Sequence, residues 1–282
     1  MLSPNRVTEI LESGGDLWLP ELTAELVSHR EIELQKASGL CLDGYSTSGF
    51  LGDQALQILT LPTGDNQLVN LEILAPKVEA YFELKGVRFY SPDELKTPVL
   101  IQTLKEAFNL IALTPTLCQS VSVLVKSLHL LIPPDVASDV SFSEPEIPFS
   151  IFVSMPYEAV EWGALRVAEA IIHEAMHLQL SLVERIVPLV DGEEEVFYSP
   201  WKQVQRKTAG LLHALYVFAI IDSWLEKISL LSDGLYVDRR RSEIKSQISQ
   251  NSLFAESADL TSEGRALSWL IFSRFRSHPI GI

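Results

Sequence analysis

At residues 168–180 the chain reads AEAIIHEAMHLQL, which places the motif His-Glu-x-x-His inside a long apolar helical pattern. On an α-helix, residues four apart lie about 40° apart around the axis and about 6 Å apart along it. His173 and His177 can therefore present two imidazoles to one metal ion, and Glu174 is turned about 100° to the side. Zinc peptidases use this layout, with the Glu as general base.

A bare motif of this kind also arises by chance on helices whose histidines bond to backbone or water. Here the flanking residues make the helix apolar on most sides, which favours a buried segment: Leu165, Ala168, Ile171, Ile172, Ala175, Met176 and Leu180. Burying two imidazoles and a carboxylate together without a metal costs desolvation energy. The segment therefore predicts a metal site.

Composition limits the function classes. The chain has 282 residues and is 47% apolar, enough for one large domain or two modest ones. A net charge of −15 disfavours nucleic acid and anionic membrane surfaces as partners. Residues 1–10 lack the apolar segment of a signal peptide, and the longest apolar run, 214–221, is too short to span a bilayer. We expect a cytoplasmic protein.

The patterning predicts an α+β fold that is mostly helical with a small β-sheet component, and a metal site between two antiparallel core helices. Residues 1–98 are expected to be an N-terminal scaffold or peptide-binding region, and residues 99–282 an HExxH metal-binding catalytic domain. Helices are predicted at 3–12, 20–37, 76–84, 101–113, 115–127, 158–186, 208–230, 256–274 and from about 238. Strands are predicted at 56–60, 67–74, 87–90, 128–132 and 150–154, and loops at 41–52 and 133–148.

Two imidazoles do not make a tight site, so a third protein ligand is needed. His213 is the candidate because it stands alone in the apolar helix 208–230, which can fold back against the first helix. The alternative is a core histidine satisfied by hydrogen bonds. Glu184 shares a helical face with His173 but lies about 10 Å beyond His177 along the axis, so we expect it near the site or at the surface.

Two further residues, Trp201 and Arg206, lie at the entrance to the second helix. An arginine beside a metal centre can hold a carboxylate in a two-pronged salt bridge. The alternative is a surface arginine near a helix N-terminus. Gly210, one turn before His213, would allow another group to approach the helix closely.

In their order and spacing these motifs resemble the HExxH-domain proteins, which are encoded with ribosomally made, post-translationally modified peptides. The resemblance covers roughly residues 100–282. The segments that carry it are His173-Glu-x-x-His177, Val187-Pro-Leu, Tyr198-Ser-Pro-Trp-Lys with Arg206, Gly210-Leu-Leu-His213-Ala-Leu-Tyr-Val-Phe, Trp224, and Leu260-Thr-x-x-Gly-Arg265.

The resemblance implies an iron(II)- and 2-oxoglutarate-dependent hydroxylase that uses O₂ to modify a side chain of a precursor peptide, typically at the β-carbon. It implies that His173, His177 and His213 hold the iron. Arg206 would bind the 2-oxoglutarate carboxylate, with Trp201 in the same cosubstrate site. In this picture Glu174 orients a ligand or water.

Two alternatives stay open at this point. A zinc metallopeptidase would use Glu174 as general base. A non-catalytic peptide-binding accessory protein would keep the metal for structure alone. Imidazole suits zinc and iron alike, so the ligand type does not choose between them. The expected partner is a precursor peptide, and the sequence leaves a homodimer open.

Overall fold

The computed structural model describes residues 2–38, 56–62, 68–135, 139–144, 147–156, 161–229 and 234–275. The α+β, mostly helical class predicted from the sequence is confirmed. Its helices are α1 (Pro4–Glu12), α2 (Pro20–Ser38), α3 (Pro76–Glu83), α4 (Pro98–Ala112), α5 (Pro115–Leu124), α6 (Gly163–Glu184), α7 (Thr208–Ile228), α8 (Leu235–Ser249) and α9 (Ser262–Ser273). Its strands are β1 (Leu56–Pro62), β2 (Leu68–Ile73), β3 (Ser127–Leu131), β4 (Ser141–Phe142), β5 (Ser150–Ser154), β6 (Val196–Ser199) and β7 (Val204–Lys207).

The chain divides into two compact units. We call Met1–His29 with Gln179–Ile282 the helical unit, and Arg30–Leu178 the sheet unit. The division falls inside α2 and inside α6. The functional boundary expected at residue 98 stays a prediction, as does a metal site between α6 and α7.

The sheet unit is built on one mixed five-stranded sheet with the strand order β1-β2-β3-β5-β4. The two outer pairs, β1 with β2 and β4 with β5, are antiparallel, whereas β2, β3 and β5 run parallel. Strands β3 and β5 are buried at every position because side chains cover both of their faces. One face carries an aromatic cluster in which Phe82 of α3 packs on Phe142 and Phe152.

The helical unit has α7 at its centre. Most residues of α7 are buried, and the helix packs against α8 and α9, while α1 packs against α9. Two main-chain approaches tie the segment after α6 to the start of α9. The carbonyl of Leu189 accepts from the amide of Thr261, and a β-carbon at Gly264 would lie 1.9 Å from that same carbonyl oxygen. Only glycine fits at position 264.

Proline marks the start of five helices. The predicted starts of α1, α2, α3 and α5 fall at or beside that proline, whereas α4 was predicted from residue 101 and begins at Pro98. Each of α1 to α5 opens with a proline, where the missing N–H costs nothing and φ is already helical. At the start of α9 the Thr261 hydroxyl accepts a hydrogen bond from the amide of Gly264 and caps the helix. The helix itself begins at Ser262, not at residue 256, because Phe254–Glu256 forms a separate 3₁₀ turn.

Two predictions of local structure were wrong, and one hairpin was missed. Residues 87–90 form no strand and contribute one bridge, Phe89 to Leu131. The predicted loop 133–148 contains β4, which pairs with β5. The segment before α7 forms the hairpin β6–β7, which was not predicted because its turn lacks the usual Gly or Asn and places Gln203 at φ 56°. The predicted loop 41–52 lies outside the described residues.

Among the described helices, α7 is long and apolar enough to cross a membrane by length and composition. Most of it is buried inside the protein, where its apolar side chains form the core of the helical unit.

Candidate metal centre

The HExxH segment lies on α6, in the part of that helix that belongs to the sheet unit. The flanking residues predicted to be apolar and buried are buried, which fixes the helix rotation: Leu165, Ala168, Ile171, Ile172, Ala175, Met176 and Leu180. His173 and His177 are half-buried, so their rings face neither the core nor open solvent. The helix therefore presents both imidazoles on one partly sheltered side.

The two imidazoles converge. The Nε2 atoms of His173 and His177 are 3.1 Å apart, and the rings are tilted by 69°. Metal–nitrogen bonds of about 2.0–2.1 Å with ligand angles between right and tetrahedral put two ligand nitrogens roughly 2.8–3.4 Å apart. The observed spacing falls in this interval. The donor set therefore fits a divalent transition metal, with zinc and iron equally suited.

The carboxylate of Glu174 is buried beside this pair. The residue is 3% exposed, and its Oε1 accepts a hydrogen bond from the hydroxyl of Ser141 on β4 at 2.7 Å. The same Oε1 is 3.9 Å from Nε2 of His173, too far for a direct hydrogen bond. Ser141 was missed from the sequence because residues 133–148 read as a loop.

His213, the predicted third ligand, lies on α7 in the helical unit. Its Nε2 is 2.9 Å from Oε2 of Glu184, and both side chains are partly exposed. Glu184, expected near the site or at the surface, is therefore a direct partner of this histidine. Within the described ranges, no three His, Cys, Asp or Glu side chains converge on one ion. The role of His213 as a ligand stays a prediction.

Arg206, on β7, points its guanidinium at the first turn of α7. A β-carbon at Gly210 would lie 3.0 Å from Nε and 3.1 Å from Nη2 of this arginine. In the described part of the chain its guanidinium has no hydrogen bond or ion pair. Gly210 and His213 are neighbours on one helix face. The half-buried cation is thus held one turn from the histidine, with its donors available.

Trp201 lies in the turn of the same hairpin. Its indole stacks on Phe218 of α7, with ring centroids 4.7 Å apart and planes within 1° of parallel. The buried indole Nε1 has no hydrogen-bond partner among the described residues. A buried N–H without an acceptor is rare, since leaving it unpaired costs desolvation energy. Trp201 therefore offers a buried donor to a ligand.

Other residues of the family-like pattern have structural roles. The guanidinium of Arg265 donates to the carbonyls of Ser257 and Leu260 and so closes the turn before α9. The carboxylate of Asp259 accepts from the Thr208 hydroxyl at the start of α7. It also accepts from the main-chain amide of Glu195. These contacts fix the start of α7.

No protein-family model matches this chain, and no curated protein matches it. The resemblance to the HExxH-domain proteins therefore stays a prediction that rests on the quoted motifs and on the side-chain geometry.

Proposed function

We propose that the protein is an iron(II)- and 2-oxoglutarate-dependent hydroxylase that modifies a side chain of a ribosomally made precursor peptide. The observation that carries the proposal is the half-buried guanidinium of Arg206, held over Gly210 without a partner among the described residues. A guanidinium in this setting is suited to two-pronged binding of a carboxylate, as an oxo-acid cosubstrate requires. A peptidase that cleaves within a chain does not require a carboxylate-binding group.

Metal binding is assigned to His173 and His177, whose Nε2 spacing of 3.1 Å suits one ion. The third ligand proposed from the sequence is His213. When bound, iron and 2-oxoglutarate supply the oxidising power that inserts an oxygen atom from O₂ into a C–H bond. The protein's own groups bind and orient the reactants and exclude water. Glu174 would hold a water or substrate group beside the ion.

The cosubstrate is assigned to Arg206 and Trp201. Arg206 would pair with one carboxylate of 2-oxoglutarate, and the Trp201 indole N–H would donate to an oxygen of the bound acid. The buried, unpartnered Nε1 supports this assignment because a ligand acceptor would satisfy it. Stacking on Phe218 fixes the indole plane, so this donor keeps its direction when the site is empty of ligand.

An extended peptide substrate is supported by the position of β4, the last strand in the sheet order. Val140 exchanges hydrogen bonds with Ser154 of β5, so its main chain faces the sheet. Alternation along an antiparallel strand then turns the main chain of Ser141 to the outer edge. A peptide added at such an edge is held by main-chain hydrogen bonds. It would lie next to Glu174, which Ser141 contacts.

The test is 2-oxoglutarate binding and turnover. The wild-type protein, loaded anaerobically with iron(II) and then exposed to air, is expected to convert 2-oxoglutarate to succinate. A co-expressed precursor peptide should gain the mass of one oxygen atom. With redox-inert manganese(II) in place of iron, Arg206→Lys should raise the calorimetric Kd for 2-oxoglutarate about tenfold, because the ammonium loses the two-pronged contact.

The control for this variant is Arg239→Lys, on the exposed side of α8, which should leave the Kd unchanged. The His173→Ala, His177→Ala and His213→Ala variants should each lose metal affinity. Equal 2-oxoglutarate affinity in Arg206→Lys and wild type, or no succinate from the iron-loaded protein, would refute the hydroxylase. Full metal affinity in His213→Ala would refute only the third ligand.

A zinc metallopeptidase is the second candidate, and the placement of Glu174 favours it. A buried carboxylate with one oxygen 3.9 Å from a metal-binding imidazole is where a general base for a metal-bound water belongs. This function predicts peptide cleavage by the zinc-loaded protein, lost in Glu174→Gln with zinc affinity retained. Metal binding without any turnover would instead indicate an accessory peptide-binding protein.

A further inference from the structure

Ser141 on β4 and Glu174 on α6 are joined by a hydrogen bond of 2.7 Å that the sequence did not predict. A buried carboxylate has lost its water, so protein donors decide where its oxygens lie. The oxygen that receives this hydrogen bond, Oε1, is the one 3.9 Å from Nε2 of His173. The serine hydroxyl therefore acts on the carboxylate oxygen that lies beside the metal-binding pair.

A second contact fixes β4 on α6. The guanidinium of Arg166 donates through Nε and Nη2 to both carboxylate oxygens of Asp139, at 2.9 and 2.8 Å. Asp139 precedes Ser141 by two residues, and such residues project from the same face of an extended strand. A two-pronged pair fixes orientation as well as distance. β4 and the residues just before it are thus held to the helix by two side-chain contacts, one from Ser141 to Glu174 and one from Asp139 to Arg166.

The other side of the strand is fixed to β5. The amide of Val140 donates to the Ser154 hydroxyl, and the Val140 carbonyl accepts from the Ser154 amide, both at 2.8 Å. Phe142 stacks on Phe152 of β5 with centroids 4.6 Å apart. Ser141 therefore lies between two anchored neighbours, and its hydroxyl has a defined position from which to hold the carboxylate.

We propose that Ser141 is a positioning residue: its hydroxyl holds Oε1 of Glu174 at the distance from His173 where the carboxylate can orient a water or substrate group at the ion. The inference rests on the proposed metal-dependent function. It is the same for a hydroxylase and a peptidase, because both need this carboxylate oriented. Loss of the Ser141 hydroxyl should leave the metal ion bound and change the arrangement of the groups around it.

The test uses the full chain loaded with cobalt(II), whose visible absorption reports the groups around the ion without any peptide substrate. Glu174→Gln should change the spectrum, and Ser141→Ala should change it in the same direction with cobalt affinity within about twofold of wild type, because no metal ligand is removed. Ser141→Thr keeps a hydroxyl and should restore the wild-type spectrum.

Ser143→Ala is the matched control. Ser143 lies two residues further along the chain, just past the end of β4, and its hydroxyl has no partner in the described part of the chain. This variant should give the wild-type spectrum and melting temperature. A wild-type spectrum in Ser141→Ala, or the same change in Ser141→Thr as in Ser141→Ala, would overturn the role of the hydroxyl. No cobalt binding by the wild-type protein would overturn the metal function itself, and this role with it.

Discussion

The guanidinium of Arg206 and the α-carbon of Gly210 are in close approach: a β-carbon at residue 210 would lie 3.0 Å from Nε of the arginine. A strand of the hairpin and the first turn of α7 meet here. The contact explains why a glycine, a poor helix former, stands near the start of an otherwise apolar helix. It also positions a cation one turn before His213.

Gly210→Ala should therefore separate stability from binding. Alanine favours the helix by up to about 1 kcal/mol, and the flexible arginine side chain can move away, so the free energy of unfolding should stay level or rise. The displaced guanidinium should weaken 2-oxoglutarate binding about tenfold. Urea unfolding and calorimetric titration measure the two quantities. A variant that binds 2-oxoglutarate as wild type does would show that the close approach has no part in recognition.

Because His129 is buried, we expect the folding stability of the sheet unit to fall at acid pH. The imidazole is buried, its Nδ1–H donates to the carbonyl of Glu72, and its buried Nε2 has no partner among the described residues. Burial lowers the pKa of His129 from 6.5 to about 4. The unfolded chain, with a pKa near 6.5, therefore takes up the proton first as the pH falls, and folding stability is lost between those two values.

The free energy of unfolding is expected to fall by about 2 kcal/mol between pH 7 and pH 5 because of this histidine. Urea unfolding of the wild type and of His129→Phe at both pH values separates the contribution of His129 to this pH dependence from the contributions of other groups. Phenylalanine keeps the stacking on Phe152, which the histidine makes with ring centroids 4.8 Å apart. The variant should lose about 2 kcal/mol less than wild type over this interval. An equal loss in both proteins would contradict the assignment.

Gly264→Ala should destabilise the helical unit. The added β-carbon would lie 1.9 Å from the main-chain oxygen of Leu189, which cannot move away as a side chain could. Overpacking of this kind costs about 1–3 kcal/mol or more. Gly15→Ala is the control, since its β-carbon would come no closer than 3.9 Å to Ser13 Oγ. Thermal unfolding should show a lower midpoint for the first variant only; equal midpoints would disprove the close packing.

Tyr216→Phe should also lower stability. The Tyr216 hydroxyl is buried within hydrogen-bond distance of the carbonyl of Leu17, at 2.9 Å, and of Oε1 of Gln179, at 2.5 Å. The single hydroxyl proton can donate to one of these acceptors at a time, so removing it leaves a buried acceptor without a donor, at a cost of about 1–3 kcal/mol. Tyr198→Phe, on the exposed face of the hairpin, should cost nothing measurable. Equal urea midpoints for the two variants would contradict this account.

Most helices and strands were predicted from local sequence patterns. Prolines marked the starts of most of the early helices, and the apolar runs at 128–132 and 150–154 predicted buried strands. Elements were missed where local signals are weak. β4 has only two residues in the sheet and forms because β5 is beside it, and the turn before β7 uses Gln203 in a left-handed conformation.

The sequence by itself determined the pairing of His173 with His177, because four-residue spacing on a helix is a local property of the backbone. Only the tertiary structure decided that Ser141 meets Glu174, that Glu184 meets His213, and that Arg206 lies over Gly210. Two of these contacts join residues far apart in the chain. The third joins residues four apart, where β7 runs directly into α7, and depends on how the strand enters the helix. Such contacts follow from packing, which no local pattern encodes.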